Sequence, residues 1–105
     1  TVALSEYGGI AWPMPGHEPP GKTYGYGTAK DKADLTKRYK MLQWKTILPQ
    51  LGRGLSALVY TQLTDVEDEV NGLFTYDRVA LKPEAAAVRS CNAALAAEFA
   101  KVTAK

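Results

Sequence analysis

The sequence is poor in the residues that cross-link or coordinate. It has one cysteine, Cys91, and one histidine, His17. A lone cysteine excludes an internal disulfide and any cysteine-based zinc site, and a lone loop histidine without companions is no metal site. Charge of one sign is also lacking. The net charge is +2, which points to no nucleic acid or other polyanion as partner. The basic residues of 30–53 read as the solvated face of a helix, and the acidic run of 65–69 reads as loop solvation rather than a calcium site, since it lacks the EF-hand spacing. No apolar run approaches the length of a membrane span. No secretory signal is visible, but the chain begins at Thr1 without methionine, which suggests a piece of a longer protein and leaves localisation open.

What is present is a core former. The 105 residues are 46% hydrophobic, enough for one packed domain and unlike a disordered chain. Val2 and Leu4 alternate in a short strand, Thr1 to Ser5. Residues 7–27 carry closely spaced glycine and proline, from Gly8-Gly9 through Pro13, Pro15 and Pro19-Pro20 to Gly25, and no regular element survives that spacing. The same stretch holds Tyr7, Trp12, Tyr24 and Tyr26, and long irregular loops of this kind are usually functional.

From Asp31 to Leu51 the pattern is helical. Leu35, Tyr39 and Leu42 share one face, while Met41, Trp44, Leu48 and Leu51 share a roughly opposite one, so the helix is expected to touch two neighbours. Pro49 should disturb its last turn, and Gly52 should end it. LSALVYT, residues 55–61, reads as a strand buried on both faces. Residues 62–82 form a second long excursion, with a turn at Asn71-Gly72 and a short extended piece from Leu73 to Tyr76. A last helix begins at Pro83, and Val88, Cys91, Leu95, Phe99 and Val102 line one side of it.

The order is strand, long loop, helix, short loop, strand, long loop, helix. Long loops leave the C-terminal ends of strands and the single return is short, which is the polarity of a (β/α)-barrel, the preferred reading; a doubly wound open sheet shows a similar polarity. Glu6 ends the first strand beside Tyr7-Gly8-Gly9. A carboxylate there stands where such folds build active sites, with glycines giving a ligand room. The structural alternative is a strand-end carboxylate that caps an amide or pairs with a lysine.

The stretch SEYGG, with YTQLTDVEDEVNGLFTYDR downstream, resembles the C-terminal part of the catalytic domain of glycoside hydrolase family 2, which contains the β-galactosidases and β-glucuronidases. The resemblance runs from Ser5 through Arg78. It implies an α/β fold made of the last two βα units, strands seven and eight, of a (β/α)8 TIM barrel, with residues 1–105 as a single partial domain. It implies that Glu6 is the catalytic nucleophile and that hydrolysis is retaining: Glu6 attacks the anomeric carbon, and a second carboxyl group about 5 Å away protonates the leaving oxygen and then activates water. The family's acid/base glutamate follows an asparagine, and no Asn-Glu pair occurs here. The acid is therefore expected outside this chain, and the chain alone is expected to be inactive. No cofactor or metal is implied. Tyr7, Trp12, Tyr60 and Gln62 are the candidate sugar contacts, with Tyr60 standing where many relatives carry tryptophan. Tyr24 and Tyr26 are further stacking candidates, and for them as for Trp12 loop packing is the alternative. Exposed strand edges are expected to favour self-association. The rival readings are a non-catalytic carbohydrate-binding or assembly module and an open-sheet enzyme with Glu6 as general base.

Overall fold

In the computed structural model, residues 2–23, 25 and 27–104 are described; Thr1 and the stacking candidates Tyr24 and Tyr26 lie outside them. Strand β1 is Val2–Gly8 and strand β2 is Leu55–Thr61, and they pair in parallel as a two-stranded sheet. Between them run α1 (Lys32–Met41), a π-helical segment (Leu42–Ile47) and α2 (Leu48–Leu51), with α3 (Ala85–Thr103) at the end.

The helix start is set by local chemistry. The Asp31 carboxylate accepts from the Asp34 amide at 2.7 Å, which satisfies a free donor of the first turn, and the Asp34 carboxylate accepts from the Lys30 amide, just ahead of the cap, at 2.9 Å. The π segment has a visible cause. Pro49 has no N–H to donate, and its ring would collide with the carbonyl of Lys45 in a regular α-helix. Widening the turns just before it relieves that collision.

The widening also corrects the expected two-faced helix. Leu35, Tyr39, Gln43, Ile47 and Leu51, each four residues apart, are all buried. In a regular α-helix that row would drift by about 40° per step. The slower winding of the π segment turns it back, so one continuous row is buried, while Met41 and Trp44, expected to pack, are exposed.

The main core lies between the sheet and the helices, where Ile47, Leu51 and Leu55 are buried with Leu4, Tyr7, Leu58, Leu95 and Val102 around them. A second core holds Trp12, Ala29 and Leu35, with Ile10 and Met14 against it, and anchors the first excursion to α1. The backbone bond from Trp12 N–H to the Val70 carbonyl, 2.8 Å, ties that excursion to the second one. Helix α3 starts two residues later than expected. Pro83 precedes the cap residue Glu84, whose amide donates to Thr36 Oγ1 at 3.0 Å. Its expected face is only partly covered: Cys91 is buried, but Phe99 is exposed. Among the described residues, no helix is long and apolar enough to cross a membrane.

The expectation of two units of a TIM barrel is overturned. The described residues give two parallel strands with helices on one side, a small open unit. A barrel strand is flanked on both edges and packs its inner side against layered side chains. Here β2 is not buried on both faces: Ser56 and Ala57 are exposed and Val59 is 59% exposed. The pairing is also irregular. Leu4 pairs with Leu58 and Tyr7 with Tyr60, so Ser5 and Glu6 together face Val59 alone. Such a bulge turns an extra residue out of the ladder.

Candidate functional site

The bulge decides where Glu6 points. Leu4 and Tyr7 both face the helices although they are three residues apart, and Ser5 and Glu6 between them are exposed on the opposite side. Glu6 lies within the strand rather than just beyond it. Its Oε1 accepts a hydrogen bond from the Thr61 hydroxyl at 3.2 Å across the sheet. Thr61 is held in place by the ladder, since Gly8 pairs with it and its carbonyl accepts from the Gly9 amide at 2.9 Å. Glu6, Tyr7, Gly8 and Thr61 line an open cleft of about 280 Å³, close to the lower bound of small-molecule pockets, roughly 300 Å³. Among the described residues, Glu6 is the only acid lining it.

Beneath the cleft lies an aromatic floor. Tyr60 meets Tyr7 and Tyr39 edge to face, each at a centroid distance of 5.3 Å. Tyr60 also fixes the identity of residue 8. Gly8 has φ +101°, and a Cβ there would stand 2.6 Å from Tyr60 Cε2. The Tyr7 hydroxyl sits 3.1 Å from Gln43 Oε1 and 3.0 Å from Gln43 Nε2, so the buried amide carried by the π segment anchors it. Burial raises the phenol pKa of Tyr60, Tyr7 and Tyr39 above the ordinary value.

The structure therefore brings together Glu6, Tyr7 and, from below, Tyr60. It does not bring the other two candidates to the cleft. Trp12 is buried in the core of the first excursion. Gln62, joined to Thr61 by a cis peptide, donates through Nε2 to Asn71 Oδ1 at 3.0 Å. Thr61 and Gln43 were not picked out as site residues. The first was readable only from strand register, and the second is a polar residue in a buried row of apolar ones.

The second excursion is built on a buried ion pair. Lys82 is fully buried, and its Nζ donates to Asp65 Oδ1 and to the Val70 carbonyl, both at 2.8 Å. Asp65 Oδ1 also accepts from the Gly72 amide at 2.9 Å. Burial pulls the Lys82 ammonium down and pushes the Asp65 carboxyl up, and their mutual bond opposes both shifts. Isolated pairings of Phe74 with Thr64 and with Leu81 supply the short extended piece expected there. Asp77 Oδ2 lies 2.7 Å from His17 Nδ1, a second tie between the excursions. Among the described residues, no three His, Cys, Asp or Glu side chains gather as a metal site.

The fold and site thus define a small unit with a parallel strand pair and an exposed carboxylate at its C-terminal end. No family model and no curated protein matches the chain. The likeness to glycoside hydrolase family 2 accordingly rests on the quoted residues alone.

Proposed function

We propose that the chain contributes the nucleophile, Glu6, to a retaining β-glycosidase that hydrolyses O-glycosidic bonds in carbohydrates. The observation that supports this is the cleft itself: an exposed carboxylate at the C-terminal end of parallel strands, one oxygen held by Thr61 and the other free. Ligands of parallel sheets bind at that end. In the reaction, Glu6 Oε2 bonds to the anomeric carbon as the glycosidic C–O bond breaks. The leaving oxygen takes a proton from a second carboxyl group, which then removes a proton from the water that releases the sugar. Among the described residues no second acid lines the cleft, so this reading assigns that group to a part of the protein outside this chain.

The test is made in the protein that carries this chain. Glu6→Gln should reduce turnover of an aryl β-glycoside by several orders of magnitude without loss of folding, and a 2-fluoro glycoside should label Glu6. A folded Glu6→Ala protein with near-normal turnover would remove Glu6 from the mechanism. The unaccompanied carboxylate also favours a second reading, a non-catalytic carbohydrate-binding or assembly module. That reading predicts sugar binding without labelling.

A further inference from the structure

Among the described residues, two sets of surface charges stand without a close ion-pair partner. Lys37 and Lys40 on α1 have no carboxylate within 4.0 Å among the described residues, and Lys32 reaches only Glu84, at 4.0 Å. With Ala33, Thr36 and the exposed Met41 these lysines border a groove of about 630 Å³ between α1 and the start of α3, where Glu84 is the one acid against the three lysines among the described lining residues. On the second excursion, Val66 and Glu69 exchange backbone hydrogen bonds of 3.1 and 2.9 Å. They close a tight turn with Glu67 and Asp68 at its tip, and neither these two nor Glu69 has a cation within 4.0 Å among the described residues. Val66, beside the acids, is exposed.

We propose that the acidic turn of one copy docks into the lysine groove of a second copy, head to tail. The two surfaces are complementary in charge and in apolar content: Glu67 and Asp68 oppose Lys37 and Lys40, and Val66 meets the Ala33–Met41 floor. The turn is preorganised. It sits next to Asp65, which the buried Lys82 fixes, so little freedom is lost on docking. The second copy is the occupant because the complementary element is carried by this same chain. The contact is heterologous, since turn and groove are different surfaces. It is held by exposed ion pairs, so it is weak and screened by salt.

Sedimentation velocity of the 105-residue chain across a concentration series tests this. Association should weaken by about tenfold or more between roughly 0.02 and 0.5 M salt, as expected for exposed charges. The double reversals Lys37→Glu/Lys40→Glu and Glu67→Lys/Asp68→Lys should each give monomers. A mixture of the two variants should associate again, because each acidic groove then faces a basic turn and the unaltered pair also matches. All four side chains lie on the surface, and the neutral pairs Lys37→Gln/Lys40→Gln and Glu67→Gln/Asp68→Asn serve if a reversal fails to fold. A monomer at every concentration overturns the proposal. So does association that survives both reversals, as pairing through the strand edges would, or association that mixing does not restore.

Discussion

Gly8 shows how one residue ties the cleft to the core. An alanine there must hold φ near +101° and place its Cβ inside the Tyr60 ring. The backbone term is about 1–2 kcal/mol and the overpacking term about 1–3 kcal/mol, so Gly8→Ala should destabilise by about 2–5 kcal/mol in urea melts. Adding Tyr60→Ala should remove the steric part of that cost, and a double-mutant cycle reads it. Asp77 is, with Asp34, one of two carboxyls among the described residues held below their ordinary range. The Thr75 hydroxyl, then His17 and the Val79 amide, hold its carboxyl down at about 2 against an ordinary 3.8. A depressed acid contributes stability that is complete above its unfolded value and lost as pH falls through the folded one. The tie between Asp77 and His17 should therefore persist down to pH 3.8 and fail towards pH 2. Carboxyl NMR of Asp77 follows this, and Asp77→Asn should abolish the response. At this scale the neighbouring glycines and the expected strand end single out Glu6 as a candidate, and the structure sets it inside β1, on the cleft. The sequence was silent on Thr61, because a partner 55 residues away is set by register that no local pattern encodes.

The elements divide into those with a local signal and those without. The helix start at Asp31, the stop at Gly52 and the disturbance at Pro49 follow from capping and proline chemistry, and all appear. The buried face did not follow, because a 3.6-residue period was applied across a stretch where proline forces slower winding. Trp44, expected to pack, is exposed, and the polar Gln43 is buried in its stead. The second excursion is legible as a turn at Asn71-Gly72 and a short extended piece after it. Its organiser, Lys82, sits in an unremarkable run, Val79 to Pro83, and nothing local shows that its ammonium is buried. Lys82→Met should destabilise by about 3–5 kcal/mol, because it leaves the Asp65 carboxylate buried and unpaired. Lys82→Met/Asp65→Leu should recover part of that loss. Recovery should be incomplete, because the Gly72 amide and the Val70 carbonyl then lose their partners. Urea titration of the two variants gives both numbers. Equal loss in the two would mean that the backbone contacts, not the ion pair, hold the excursion.

At the scale of the whole molecule the chain is elongated, 51 × 24 × 20 Å with a radius of gyration of 14.6 Å, against roughly 13 Å for a compact chain of this length. The extension follows from a sheet too narrow to wrap and a 19-residue helix lying against α1, the π segment and α2. The barrel expectation failed here because strand–loop–helix polarity specifies parallel pairing, which is found, but says nothing about closure. Closure needs strands on both outer edges, and the exposed Val59 side has none opposite it among the described residues. The same openness bears on activity. A retaining mechanism needs a proton donor about 5 Å from the nucleophile, and the cleft offers Glu6, Tyr7, Gly8 and Thr61. The Tyr7 phenol cannot serve, since burial raises its pKa and its hydroxyl is engaged by Gln43. The acids of the turn, Glu67 and Asp68, belong to an excursion whose fixed point is Lys82, not the cleft. The isolated 105-residue chain should therefore show no steady hydrolysis of an aryl β-glycoside. A dinitrophenyl leaving group departs without a proton, which isolates the first step from the missing acid. With that substrate the most the chain should give is single-turnover labelling of Glu6, detected by peptide mass, since release of the sugar still needs a base to activate water. Sustained, Glu6-dependent turnover by the chain alone would mean that a second carboxyl group reaches the cleft, and the assignment of the acid to another part of the protein would be wrong.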